Sequence, residues 1–163
     1  MTGRKVLVTG ATGYIGGRLI PLLLDSGDEV TALVRSPQKL KDVPWTHRIT
    51  VVQGDLGDAA AVRSALVGID IVYYLVHSMG TRGDFERTER VAAQNVADAA
   101  AEAGVSRIVY LGGLHPEAAE LSQHLRSRAE VGRILLASGV PTAALQAGVV
   151  IGSGSTSDRK SVV

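Results

Sequence analysis

The 163-residue chain predicts a doubly wound α/β fold, with about six parallel strands in one sheet and helices on both faces. Three observations predict it. Strand-like and helix-like segments alternate with short links, the pattern of successive βαβ units. Most strand-like segments are near-continuous Val, Ile and Leu runs, as strands buried on both faces require. The punctuation agrees: Ser26-Gly27, Gly104 and Ser138-Gly139 fall just past three helix-like stretches, where a helix C-terminus favours glycine.

The elements follow in order. Residues 5–9 form the first strand and residues 14–25 the helix after it. A second strand is expected over 29–34, a helix over 36–41 and a third strand over 49–53. Asp58 is placed to cap a helix over 59–66, and a fourth strand follows over 69–75. Asp84 is placed to cap a helix over 85–103, which leads to a fifth strand over 107–111. The last pair is a helix over 122–137 and a strand over 142–146. No internal repeat, low-complexity tract or linker interrupts this order.

Composition narrows the function classes. Hydrophobic residues make up 45% and charged residues 20%, as in ordinary globular domains. A net charge of +1 supplies no electrostatic basis for nucleic acid or an anionic membrane as partner. The absence of cysteine removes disulfides, thiolate metal sites and cysteine nucleophiles. His47, His77, His115 and His124 have no metal-ligand spacing, so no metal is expected. The longest apolar stretches are strand-length and broken by Gly or charge, and the expected location is the cytoplasm.

The junction of the first strand and helix carries the chemistry. Thr9-Gly10-Ala11-Thr12-Gly13-Tyr14-Ile15-Gly16 stops an apolar strand at a glycine-spaced turn and opens a helix. Unpaired N–H groups and the positive end of the helix dipole there favour a phosphate. Gly10 can adopt angles closed to other residues, Gly13 leaves room for a pyrophosphate, and Gly16 lets helix and strand pack closely. The order is that of a Rossmann-like dinucleotide site, with Gly10, Ala11, Thr12, Gly13, Tyr14, Ile15 and Gly16 around the pyrophosphate.

The end of the second strand selects the nucleotide. An acid there would grip a ribose 2′-OH and repel a 2′-phosphate. The strand instead ends in Arg35-Ser36. A guanidinium pairs with phosphate in a two-pronged way, so NADP(H) is the preferred cofactor and NAD(H) the alternative. Otherwise Arg35 is a solvated arginine. The fourth strand ends in Leu75-Val76-His77, whose edge should pass beside the cofactor ribose and phosphates. There His77 either hydrogen-bonds to the cofactor or is structural.

The Gly-x-x-Gly-x-x-Gly spacing with Thr9 and Thr12 resembles the fingerprint of extended and atypical short-chain dehydrogenase/reductases. Residues 90–100 and 103–113 resemble the fourth helix and fifth strand of the NmrA-like group. Residues 74–79, 111–114, 124–128 and 147–155 resemble bacterial NAD(P)-binding proteins that carry a further C-terminal domain of the DUF2867 type. The resemblance implies that Asp55-Leu56 lies against the adenine, the carboxylate accepting from the exocyclic amine. On its own, Asp55 also reads as a turn residue.

The resemblance also locates a departure. Active members use Tyr-x-x-x-Lys on the fifth helix for proton transfer and for holding the nicotinamide ribose. Ser127-Arg128-Ala129-Glu130 aligns with the usual Ser-Lys-Ala-Glu, placing Arg128 at the lysine and His124 at the tyrosine. The serine that normally follows the fifth strand is missing, with Gly112-Gly113 in its region. His124 and Arg128 are then either an altered acid and ribose clamp or ordinary polar positions. Two functions follow: the cofactor half of an oxidoreductase acting on a small molecule, or a non-catalytic nucleotide sensor. A structural use of the cofactor in an accessory protein is a third.

Residues 158–163 depart from the resembled pattern. Asp158-Arg159-Lys160-Ser161-Val162-Val163 can be encoded by GATCGGAAGAGCGTCGTG, the start of a widely used sequencing-library adapter. The expectation is a non-native tail on a nucleotide-binding domain of residues 1–157 that lacks the substrate-binding part and exposes apolar surface.

Overall fold

The computed structural model describes residues 3–76, 85–114, 122–148, 150 and 152. Asp84, His77, His115 and the tail at 158–163 lie outside the described residues.

Among the described residues, six strands form one parallel sheet: β1 (Lys5–Thr9), β2 (Glu29–Val34), β3 (Thr50–Gln53), β4 (Ile71–Tyr74), β5 (Arg107–Gly113) and β6 (Thr142–Ala147). Their spatial order is β3-β2-β1-β4-β5-β6. The α-helices are α1 (Tyr14–Asp25), α2 (Ala59–Ala65), α3 (Phe85–Glu102) and α4 (Gln123–Leu136).

Strand order and handedness decide the layers. The chain steps outward from β1 through β2 to β3, then returns past β1 to β4 and continues to β6. Right-handed crossovers in opposite directions place their connections on opposite faces. Hence α1 packs on one face, where Ile20 and Leu23 meet Val6, Val8, Val30 and Ala32. Helices α2, α3 and α4 cover the other, where Val62, Val96, Val131 and Leu135 meet Leu7, Val72 and Ile108. Adjacent residues of β1 thus enter different cores, because successive strand side chains point to opposite faces.

Local signals act as expected at several ends. Asp58 caps α2, its Oδ1 accepting from the N–H groups of Ala60 and Ala61 at 2.9 and 3.2 Å. Gly27, Gly104 and Gly139 adopt φ of +87°, +69° and +80° beyond α1, α3 and α4.

The expected helix over 36–41 is corrected to a 3₁₀ turn, Pro37–Leu40. The segment lies between Pro37 and Pro44, too short for a stable α-helix, and buried Leu40 pins it to the core. A second 3₁₀ turn, Thr46–Arg48, carries no clear signal in the sequence. β4 is shorter than expected, starting at Ile71 after Asp70 has taken the Lys5 N–H on its carboxylate at 2.7 Å. β5 is longer, because β6 pairs with it as far as Gly113 and Ala147. β6 lies at the sheet edge, and its Leu145 is 55% exposed.

Tyr110 ties β5 to α4. Its hydroxyl donates to the Arg128 carbonyl at 2.8 Å, and its ring meets Tyr74 edge-on at 5.9 Å. Burial pushes the Tyr110 hydroxyl up to about 12; nearby Glu89 adds to this and Arg128 opposes it. Burial raises Tyr74 in the same direction.

Two outcomes follow from this packing. A Cβ on Gly16 would collide with the Gly10 carbonyl and approach Ala11 Cα at 2.9 Å, whereas one on Gly17 meets nothing nearer than 4.0 Å. Gly16→Ala should cost about 2 kcal/mol and Gly17→Ala should gain about 0.5–1 kcal/mol in urea unfolding. Equal effects would overturn this account of the junction. The neutral Tyr110 phenol is favoured in the folded state, so its contribution is full below pH 10 and lost as pH rises towards about 12. Tyr110→Phe should cost about 1 kcal/mol at pH 7 and reduce the loss of stability across that alkaline window, read from melts at several pH values.

Candidate functional site

The carboxyl edge of the sheet gathers the candidate residues. Gly10 ends β1 with φ of +77°, and the Gly13 N–H donates to its carbonyl at 2.9 Å to close the turn. A Cβ on Gly10 would press on the Leu75 backbone at 3.0 Å, so the turn sits against the end of β4. Gly13 is the N-cap of α1 with no side-chain cap, and the first turn carries no acid. The N–H groups of the first helical turn, at Tyr14, Ile15 and Gly16, therefore begin a helix without a side-chain acceptor, an arrangement suited to an anion. The cradle fits a pyrophosphate: side chains are absent where a ligand and the backbone must approach.

Thr9, fully buried, joins the two strands beneath this turn. Its hydroxyl donates to the Tyr73 carbonyl at 3.3 Å and accepts from the Leu75 N–H at 3.1 Å. Leu75 and Val76 are half-buried at the end of β4, each packed against a different core.

A groove of about 420 Å³ opens beside the turn. Ala11, Thr12, Gly13, Tyr14, Gly17 and Arg18 line one side, and Lys39, Leu40, Val43 and Trp45 the other. Arg18 lies 3.7 Å over the Tyr14 ring. Gly152, past the end of β6, abuts the Tyr14 hydroxyl, where a Cβ would collide. Sequence reasoning missed Arg18, Lys39 and Gly152; Lys39 carried a signal, being a cation four residues after Arg35.

Arg35 and Asp55 come together from the ends of β2 and β3. Arg35 Nε is 4.0 Å from Asp55 Oδ2, and the side chains are 81% and 55% exposed. Such an exposed pair contributes little and leaves the guanidinium available. Asp55 is also a turn residue: its Oδ1 accepts from the Gly57 N–H at 2.7 Å. Leu56 is buried, and its carbonyl accepts from Asn95 Nδ2 at 2.8 Å.

His124 and Arg128 lie one turn apart on α4. His124 is exposed, with its ring stacked on Phe85 at 4.8 Å and 29°. Arg128 is half-buried beside the end of β5, its Nη1 3.1 Å from the Cβ position of Gly113. Leu125 Cδ2 also lies 3.0 Å from that position, so a larger residue at 113 needs these side-chain ends to shift by a few tenths of an ångström. Further bonds hold α4 against α3. The Ser127 hydroxyl donates to the buried Glu89 carboxylate. Arg90 grips Glu130 through two bonds of 2.7 and 3.1 Å. Hydrogen bonding from Arg90 holds the Glu130 carboxyl below its ordinary range.

A smaller cavity of about 220 Å³ lies between α4 and the β5–β6 edge, with Gly112, Gly113, Arg128, Arg133 and Gln146 in its lining. Among the described residues, no helix is long and apolar enough to cross a membrane, and no group of three or more His, Asp or Glu residues is placed to hold a metal ion.

Known proteins share both sequence and fold. The family model described as NAD(P)H-binding matches residues 10–149. A (4-alkanoyl-5-oxo-2,5-dihydrofuran-3-yl)methyl phosphate reductase of Streptomyces griseus subsp. griseus is 39% identical over 137 residues, covering 83% of this chain and 44% of that enzyme. The NADPH-dependent quinone oxidoreductase QOR2 of Escherichia coli, solved with NADPH, superimposes with a TM-score of 0.71 and 31% identity over 86% of this chain and 48% of that one. MoeE5, solved with UDP-glucose and NAD, gives a TM-score of 0.78 and 29% identity over 94% of this chain and 57% of that one. The chain thus spans less than half the length of the curated reductase it matches. With its glycine turn, its doubly wound sheet and a family match over most of its length, the chain belongs to the NAD(P)H-binding family of atypical short-chain dehydrogenase/reductase type.

Proposed function

We propose that this chain is the cofactor-binding part of an oxidoreductase that prefers NADP(H) over NAD(H) and acts on a small molecule. The observation that carries the preference is Arg35, exposed at the end of β2 where an acid would select NAD(H). The similar QOR2 structure holds NADPH and the similar MoeE5 structure holds NAD, so this architecture accommodates both nucleotides. A cytoplasmic location accompanies this reading.

Each residue has a task in it. The first-turn N–H groups of α1, with Gly10, Ala11, Thr12 and Gly13 leaving space, would hold the pyrophosphate. Arg35 would pair with the 2′-phosphate, and Lys39 across the groove adds positive charge. Asp55 and Leu56 would face the adenine. The bound cofactor supplies a hydride. Arg128, beside the end of β5, would donate to a ribose hydroxyl, and exposed His124 would hold the proton exchanged with the substrate oxygen.

The altered Tyr-x-x-x-Lys pair favours a second reading, a nucleotide sensor that binds the same cofactor without turnover. His124 stacked on Phe85 is compatible with either.

Arg35→Ala should weaken NADPH about tenfold or more and NADH far less, measured by fluorescence titration, since a charged hydrogen bond to the phosphate is lost. Equal losses would sink the assignment of Arg35. In a protein that includes the substrate-binding part, His124→Ala should abolish NADPH oxidation without unfolding the protein and with NADPH affinity retained. Undiminished oxidation would remove His124 from the chemistry. Bound NADPH that survives a panel of carbonyls and quinones would favour the sensor.

A further inference from the structure

We infer that Asn95 is a positioning residue for the adenine end of the site, an inference that rests on the nucleotide-binding reading. Asn95 lies within α3, 39 residues from Leu56, and its side-chain Nδ2 donates to the Leu56 carbonyl at 2.8 Å. Its helix neighbours Ala92, Ala93, Val96 and Ala99 are buried, so an amide among them needs a partner to offset its desolvation.

The bond acts on the turn that would read the base. Within that turn, Asp55 Oδ1 accepts from the Gly57 N–H at 2.7 Å, and the Asp58 N–H donates to the Asp55 carbonyl at 3.0 Å. These bonds shape the turn but do not orient it against the rest of the molecule. Asn95 reaches it from α3, across the boundary between chain segments. The Leu56 side chain is buried in the core that α3 helps to form. With the side chain held on one side and the carbonyl on the other, the Leu56 backbone has little freedom. Its N–H and the Asp55 Oδ2 are then presented in a set direction, and an oriented pair of that kind distinguishes an amino-purine from an oxo-purine.

The test measures base discrimination, which a purely structural residue would not alter. Dissociation constants for NADPH and for its hypoxanthine analogue would be obtained for the 163-residue chain, Asn95→Ala and Asn95→Asp, with thermal melts alongside. The wild type should prefer the adenine form. Both variants should bind NADPH about tenfold more weakly and lose most of that preference, because one hydrogen bond is removed and the turn loosens. Asn95→Asp keeps the shape but turns an acceptor towards a carbonyl, so it carries the test if Asn95→Ala does not fold. Arg35→Ala should weaken NADPH while keeping the adenine preference. Folded Asn95 variants that retain the preference overturn the inference, as does failure of both variants to fold, which would assign Asn95 to the fold. A wild type that binds neither nucleotide overturns the nucleotide-binding reading itself.

Discussion

A close approach of backbone to backbone, between the end of β1 and the first turn of α1, governs the rest of this structure. Gly10 turns the chain with a positive φ, and Gly16 brings α1 down onto the Gly10 carbonyl, where a Cβ has no place. The approach does two things together. It seats α1 on the sheet so that Ile20 and Leu23 reach the core, and it aims an uncapped helix N-terminus at the carboxyl edge. The seating of α1 and the direction of its uncapped N-terminus thus arise from one geometric requirement, which leaves no room for a larger residue at either position.

The second constraint is the reversal of winding between β1 and β4. Neighbouring strands whose connections leave on opposite faces part at their carboxyl ends and leave a crevice. Thr9 ties the ends of these two strands, with one bond to Tyr73 and one to Leu75. The glycine turn, Arg35 and Asp55, Leu75, and Arg128 come from distant parts of the chain. They meet along one edge because every strand is parallel and ends there. The topology therefore brings the candidate residues together.

The half of the edge near β5 is held together by connected contacts. Arg128 occupies the space beside Gly113, and α4 is held to α3 by the Ser127–Glu89 and Arg90–Glu130 bonds. The tie from Tyr110 to the Arg128 carbonyl fixes the same helix to the sheet. These contacts hold Arg128 beside the end of β5.

Much of this architecture is legible in the amino-acid sequence. The apolar runs, glycine stops and the Asp58 cap define most elements, because strand burial, left-handed caps and N-capping are local in origin. The glycine turn and Arg35 are legible for the same reason: both are set by adjacent residues. The segment between Pro37 and Pro44 reads wrongly as a helix, since helix propensity alone does not register how few residues lie between two breakers. Asn95 gives no signal within an alanine-rich helix, because its partner lies 39 residues away. By itself the sequence determined the fold class, the glycine turn between β1 and α1 and the absence of an acid after β2. Only the tertiary structure decided that Asp55 would sit by Arg35, that Arg128 would fill the space at Gly113, and that Asn95 would hold Leu56. Those outcomes depend on which strand ends become neighbours, and crossover handedness and packing set that order, not any local run of residues.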